Sequence, residues 1–186
     1  MQVMKPRVSY ADLERAPEDG RRYELYDGEV FVVPSPLPRH QIVADNLGQA
    51  LGAYARAGGG LLLLSPIDIV FSQYDVVQPD LVFFQPSRRH LVQLDAPVRH
   101  GADLAVEVLW PSTAATDRGK KMRMLARYGV PEYWIVDPIR ETIEIYTLAA
   151  RAYSLAQTVG TSDSLRSPLL PELTFATASI FPAQPL

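Results

Sequence analysis

The sequence predicts an α/β fold in which a β-sheet core is flanked by helices and preceded by an N-terminal β-hairpin. Three observations carry this. Apolar runs meet at Asp27-Gly28 as they do in a hairpin, a helix-period stripe runs from Arg39 to Ala57, and Asp103 to Trp110 is apolar on both faces before a second amphipathic segment. With 186 residues, 47% hydrophobic and 21% charged, the chain has the size and composition of one globular domain with a real core, so residues 1–186 are expected to form a single domain.

Taken in order, Tyr10 to Arg15 forms a short helix stopped by Pro17 and Glu18-Asp19-Gly20. Tyr23 to Tyr26 and Glu29 to Val33 pair across Asp27-Gly28, a dipeptide suited to a two-residue primed turn. Between Arg39 and Ala57, residues Ile42, Val43, Leu47, Ala50, Leu51 and Tyr54 recur at helical steps. Gly58-Gly59-Gly60 closes that helix; no Lys-Ser/Thr follows, so the glycines form a cap and not a phosphate loop. Leu61 to Leu64, Ile67 to Phe71 and Leu81 to Phe84 read as strands, with Gln73 to Pro79 as a connection. Asp103 to Trp110 is a buried central strand, and Thr116 or Asp117 caps a helix that runs to Tyr128 and stops at Gly129. Glu132 to Val136, Thr142 to Thr147 and Tyr153 to Gln157 add strands, and the tail from Ser167 holds only a helical turn near Ala176 to Phe181.

Composition excludes several chemistries. Without cysteine there are no disulfides, thiol nucleophiles or thiolate metal sites. A net charge of −3 provides no global field for nucleic acid, so such a partner needs a local patch. No apolar run reaches the roughly 18 residues of a membrane span, and Met1 to Tyr10 has basic residues without an apolar stretch behind them. A non-membrane, cytoplasmic protein is expected.

One constellation carries chemistry. Alternation along Leu104 to Trp110 sets Leu104, Val106 and Val108 on one face and Ala105, Glu107 and Leu109 on the other, so Glu107 is a carboxylate on a strand hidden on both faces and needs a partner. In the following helix Lys121, Met124, Leu125 and Tyr128 form the inward stripe, while Lys120, Arg123 and Arg127 face away. A structural Glu107–Lys121 ion pair and a functional site explain this equally well. Gln78-Pro79-Asp80 adds a second carboxylate at the head of a strand, and Asp80, Glu107 and Lys121 together supply what hard-metal phosphodiester chemistry asks for.

The segments Arg22 to Glu29, Gln78 to Asp80, Val106 to Thr113, Asp117 to Lys121 and Tyr128 to Pro138 resemble the Uma-type restriction endonuclease family of the PD-(D/E)XK nuclease superfamily. The resemblance runs from about Tyr10 to Phe181. It implies a restriction-endonuclease-like mixed-sheet core, with Asp80, Glu107 and the Val108 carbonyl as ligands of Mg²⁺, or of Mn²⁺ as a substitute, and Glu24 as a candidate further ligand from the hairpin. Leu109 stands where the usual Glu-X-Lys has its lysine. The resemblance moves that role to the helix, and its Asp-X-X-X-Lys spacing selects Lys121, the residue the inward stripe had selected. DNA is the substrate implied, and a homodimer would suit double-strand cutting. Trp110 replaces a usual serine and Leu125 a common tyrosine; both are expected to alter the pocket mouth.

Several features receive the ordinary reading. His40 is a helix cap or substrate contact and not a zinc ligand, Glu132 to Trp134 is packed core, and Ser65, Ser112 and Thr113 have no histidine at telling spacing. Arg88, Arg89, His90, Arg99, His100, Lys120, Arg123 and Arg127 are the candidates for a phosphate-facing patch. Two functions follow: a Mg²⁺-dependent endonuclease, with Asp80 and Glu107 close enough to share one cation, or a non-catalytic interaction module of the same fold held by the Glu107–Lys121 pair.

Overall fold

The structure is a computed structural model that describes residues 6–183. Met1 to Lys5 and residues 184–186 lie outside the described residues, and with them part of the N-terminal stretch and the end of the tail. The helix α1 (Tyr10–Arg15) is started by a reciprocal capping box between Ser9 and Asp12. The hairpin strands β1 (Arg22–Tyr26) and β2 (Glu29–Val33) pair antiparallel around Asp27 and Gly28, both at positive φ. Gly28 has φ +82, and a Cβ there would lie 2.7 Å from the Arg7 Cβ. Gly28→Ala is therefore expected to lose about 1–2 kcal/mol, read as a lower Tm.

The 21-residue helix α2 (Pro38–Gly58) ends at Gly59 in the left-handed region. It is followed by β3 (Leu61–Leu64), β4 (Ile69–Ser72), β5 (Asp75–Val77), β6 (Leu81–Phe84) and β7 (Leu104–Val108). Then come a helical stretch, β8 (Glu132–Asp137), β9 (Thr142–Ala149), β10 (Ala152–Val159), β11 (Ser164–Arg166) and β12 (Thr174–Ala176). Six strands form a mixed sheet in the order β10-β9-β8-β7-β6-β3, in which β7 and β8 are parallel and the other pairs antiparallel. The hairpin joins β5 and β4 in a second sheet, ordered β2-β1-β5-β4, and β11 pairs with β12.

The two faces of β7 lead into two cores. Leu104, Val106 and Val108 pack with Val43, Leu47 and Leu51 of α2; Ala105 and Leu109 pack with Met124, Leu125 and Tyr133 on the opposite side. All five residues of β7 are buried, as the two-sided apolarity predicts for a central strand. No helix among the described residues is long and apolar enough to cross a membrane.

Four local expectations are corrected. Asp75–Val77 is a strand within the predicted connection; three residues are too few to show a period. The tail contains the β11–β12 ribbon besides its single turn of 3₁₀ helix at Thr177–Ile180, because strands of three residues beside Pro168 and Pro171 carry little pattern. Asp117 is not a helix cap. The helical stretch begins at Ala114–Thr116 (α3), where Trp110 O accepts the N–H groups of Thr113 and Ala114, passes through a π-turn at Asp117–Lys121 and continues as α4 (Met122–Arg127). Leu125 is 1% exposed in the core, so its departure from the family pattern does not reach the pocket mouth.

Candidate active site

One cleft of ≈ 320 Å³ gathers side chains from five parts of the chain: Glu24 of β1, His40 of α2, Asp80 before β6, Glu107 of β7, and Asp117 and Lys121 of the π-turn. Sheet register explains the meeting of the two acids. Leu81 pairs with Val106 in the antiparallel β6–β7 ladder, so continuing the register by one residue sets Asp80 opposite Glu107 on the same face. The two strands that carry these acids run antiparallel.

Asp80 is held from two sides. Its Oδ2 accepts the Val108 N–H at 2.8 Å and lies 3.0 Å from His40 Nε2. The other ring nitrogen of His40, Nδ1, is buried without a hydrogen-bond partner. Both fixings fall on Oδ2, which leaves Oδ1 without a donor. A strand residue turns its N–H and C=O to the same edge, so the Val108 carbonyl lies on the Asp80 side of β7.

Lys121 is the hub of the deep end. Its Nζ is 2.7 Å from Glu107 Oε1, 2.9 Å from Glu24 Oε1 and 3.5 Å from Asp117 Oδ1. Glu24 is pinned as well: Oε1 accepts the Gln78 N–H at 2.7 Å and Oε2 the Tyr26 hydroxyl at 2.7 Å. The Tyr133 hydroxyl donates to the Asp117 carbonyl at 3.2 Å and so supports the π-turn from β8. π-Turns are uncommon and recur at functional sites, and this one carries two side chains of the cluster. Lys120 points away, as the stripe predicts, and pairs with Glu29 at 2.6 Å.

The charges do not balance. Four carboxylates share the cleft with one lysine, and Arg22, at the cleft wall, donates to Ser65 Oγ and to the Pro34 carbonyl. Burial pushes Glu107 well above the usual carboxylate range; Asp117, Asp80 and Glu24 push the same way and Lys121 opposes them. Asp117 is raised chiefly by burial, again against Lys121. Burial alone would lower Lys121, but Glu107, Glu24 and the neighbouring groups hold it well above its ordinary value. A cation entering the cleft would relieve this excess negative charge.

The donor chemistry suits a hard cation that keeps water and phosphate among its ligands. Asp80 and Glu107 each have one oxygen outside the hydrogen bonds described, and the Val108 carbonyl sits at the same edge. Among the described residues no group of three or more histidine and carboxylate side chains is arranged to hold a metal ion by itself. Mg²⁺ is commonly bound through one or two carboxylates plus substrate oxygens. Glu24 is the exception to the expected set, because both its oxygens are already engaged by Lys121, Gln78 and Tyr26, which makes it the anchor of the lysine.

The structure therefore brings Asp80, Glu107, Val108, Lys121 and Glu24 into one cleft. Sequence reasoning read His40 as a helix cap or substrate contact and Asp117 as a candidate helix cap, and it missed Tyr26. The structure places His40 within α2, whose N-cap is Leu37, and both His40 and Asp117 in the cleft. Both were signalled: His40 continues the buried stripe Val43, Leu47 and Leu51 of α2, and Asp117 lies one helical turn before Lys121. Of the eight residues of the expected basic patch three are ion-paired, Arg88 with Asp103, Lys120 with Glu29 and Arg127 with Asp27 and Asp75.

The Uma2 family, described as "Putative restriction endonuclease", matches residues 9–178. No curated protein matches the chain. Among solved structures, a crystal structure of a "putative nuclease belonging to DUF820" from Anabaena variabilis is similar, with a TM-score of 0.76 at 17% identity over 94% of this chain and 97% of that one. Likeness at that identity speaks for the fold.

Proposed function

The chain belongs to the Uma2 family of restriction-endonuclease-like proteins, and from that premise we propose that it is a Mg²⁺-dependent nuclease hydrolysing phosphodiester bonds in DNA. The observation that carries the reading is the pairing of Asp80 and Glu107 across two strands, each with an oxygen to spare, beside a lysine 2.7 Å from Glu107. In this reading Asp80, Glu107 and the Val108 carbonyl hold the ion. When bound, the ion supplies an acidified water and a counter-charge for the phosphate oxygens.

The chain's own groups do the rest. His40 and the Val108 N–H fix Asp80, so its free oxygen is pre-aimed. Glu24 and Asp117 hold the Lys121 ammonium in place, where it orients the attacking water or faces the charge that builds on phosphorus. The buried floor limits bulk water. Two copies acting together would reach both strands of a duplex.

The interaction-module reading has one observation in its favour, since the Glu107–Lys121 pair it requires is present. A pair alone, however, leaves Asp80, Asp117 and Glu24 as extra acids around one cation. Mg²⁺ titration separates the two readings. At about 100 times Kd a specific ion stabilises the fold by roughly 2.7 kcal/mol. The nuclease reading expects that shift in the wild type, its loss in Asp80→Asn, and metal-dependent cleavage of plasmid DNA. A wild type that neither gains stability from Mg²⁺ or Mn²⁺ nor cuts any nucleic acid supports the module.

A further inference from the structure

We infer that the cleft accepts an unpaired nucleotide, from a single strand, an overhang or a locally opened duplex, and that Trp110 is the platform on which its base stacks. The inference rests on the nuclease reading and names the form of its substrate.

The first argument is depth. Glu24, Glu107, Asp117 and Lys121 are each 4% exposed or less, at the bottom of a cleft whose ≈ 320 Å³ matches the scale of one nucleotide. One wall is the hairpin and the segment after it, from Phe31 to Pro36. Five residue pairs tie β2 to β1, and Pro34 and Pro36 stiffen the chain beyond it, so this wall is a fixed rim. A phosphate of an intact duplex is carried on a rigid rod with its partner strand alongside. Bringing it to groups this deeply buried favours a strand that has left the helix, as in enzymes that act on target nucleotides deep in pockets.

The second argument is charge. The cleft is lined by four carboxylates, and Arg88, Lys120 and Arg127 are already paired with acids. Within the cleft lining, among the described residues, the lysine and arginine side chains are Lys121, held by carboxylates, and Arg22, held by Ser65 and the Pro34 carbonyl, so the cleft itself offers no run of free cations of the kind that gives duplex binding its salt-dependent affinity. Stacking on an aromatic face is the other general source of affinity for nucleic acid, and it requires unpaired bases.

The third argument is Trp110 itself. It lines the same cleft as the hairpin rim, it is only partly buried, and its indole N–H makes no hydrogen bond among the described residues. The other tryptophan shows the contrast: Trp134 is 0% exposed, and its Nε1 donates to Glu132. Trp110 thus has the position of a stacking surface and none of the contacts of a core residue.

The same contrast provides the test, because Trp110 is the one tryptophan a ligand can reach. Binding is followed by intrinsic fluorescence and by anisotropy of labelled oligonucleotides, with Ca²⁺ in place of Mg²⁺ to hold back cleavage. The arms are oligothymidylate, its ribose counterpart, and a blunt hairpin duplex. The expected result is saturable quenching by the single strands at concentrations at least about 10-fold below those needed for the duplex. Trp110→Phe should keep the affinity, while Trp110→Ala should lose about 10-fold or more. Thermal unfolding checks that both variants fold. Equal affinity for duplex and single strand, or Trp110→Ala binding like the wild type, overturns the inference. Cleavage of blunt duplex as fast as single strand overturns it too, yet leaves the nuclease reading standing. Absence of binding and cleavage with every arm removes both. If the ribose and deoxyribose arms bind alike, the platform reads bases without regard to the sugar; preference for one assigns the strand.

Discussion

Glu107→Gln is expected to lower Mg²⁺-dependent cleavage by about 10²–10³-fold or more while leaving the fold as stable as the wild type or slightly more so. Glutamine keeps the shape of the side chain, and its amide oxygen can still accept from Lys121. What disappears is a metal ligand and one negative charge in a cluster that has too many. Removing Glu107 does not strand the lysine, since Glu24 remains 2.9 Å and Asp117 3.5 Å from Nζ. The 3–5 kcal/mol penalty for an unpaired buried cation therefore does not apply to this substitution. A pH signature accompanies it. Glu107 holds its proton well above 4.5 in the folded chain, so between that value and its folded one the native state binds the extra proton. Its contribution is present at low pH and lost as pH rises through this window, and Glu107→Gln should flatten that part of the stability profile. Cleavage by the variant at the wild-type rate would end the proposed role of Glu107.

How much of this was legible follows from where each signal resides. The hairpin, α2 and the central strand are written in local pattern: Asp27-Gly28 demands positive φ, and β7 has no polar residue but Glu107. Such signals lie within a few residues of one another. The strand β5 has only three residues, and its pairing with β1 depends on chain fifty residues away. The helix start was misplaced because Asp117 looks like a cap by type. The Trp110 turn had already opened the helix, which freed the Asp117 side chain for the site.

The site divides in the same way. Lys121 was chosen over Lys120 by helical period alone, and its 3% exposure bears that choice out. The number of its partners was not visible. That Glu24 leans on Lys121 depends on the second sheet packing over β7, a tertiary fact with no local trace. His40 meets Asp80 because α2 crosses one end of β6, and only its place in the buried stripe hinted at burial.

Lys121→Met carries the largest expected loss of stability, about 3–5 kcal/mol near neutral pH. Lys121 is the only buried lysine or arginine among the described residues, and three carboxylates, each 4% exposed or less, depend on it. Methionine fills the same volume without charge, so the loss would come from Glu24, Glu107 and Asp117 left to repel one another in a low dielectric. Lys120→Met is the matched control. Its pair with Glu29 is exposed, with side chains 39% and 52% accessible, and should cost no more than about 1 kcal/mol. Chemical denaturation of the two variants across pH measures the difference. The Lys121→Met deficit should shrink in acid, where protons neutralise the stranded carboxylates, and adding Glu107→Gln to Lys121→Met should recover part of it. A deficit as small as that of Lys120→Met, unchanged by acid, would mean that the cluster is wet and screened and that Lys121 is not what holds the acids together.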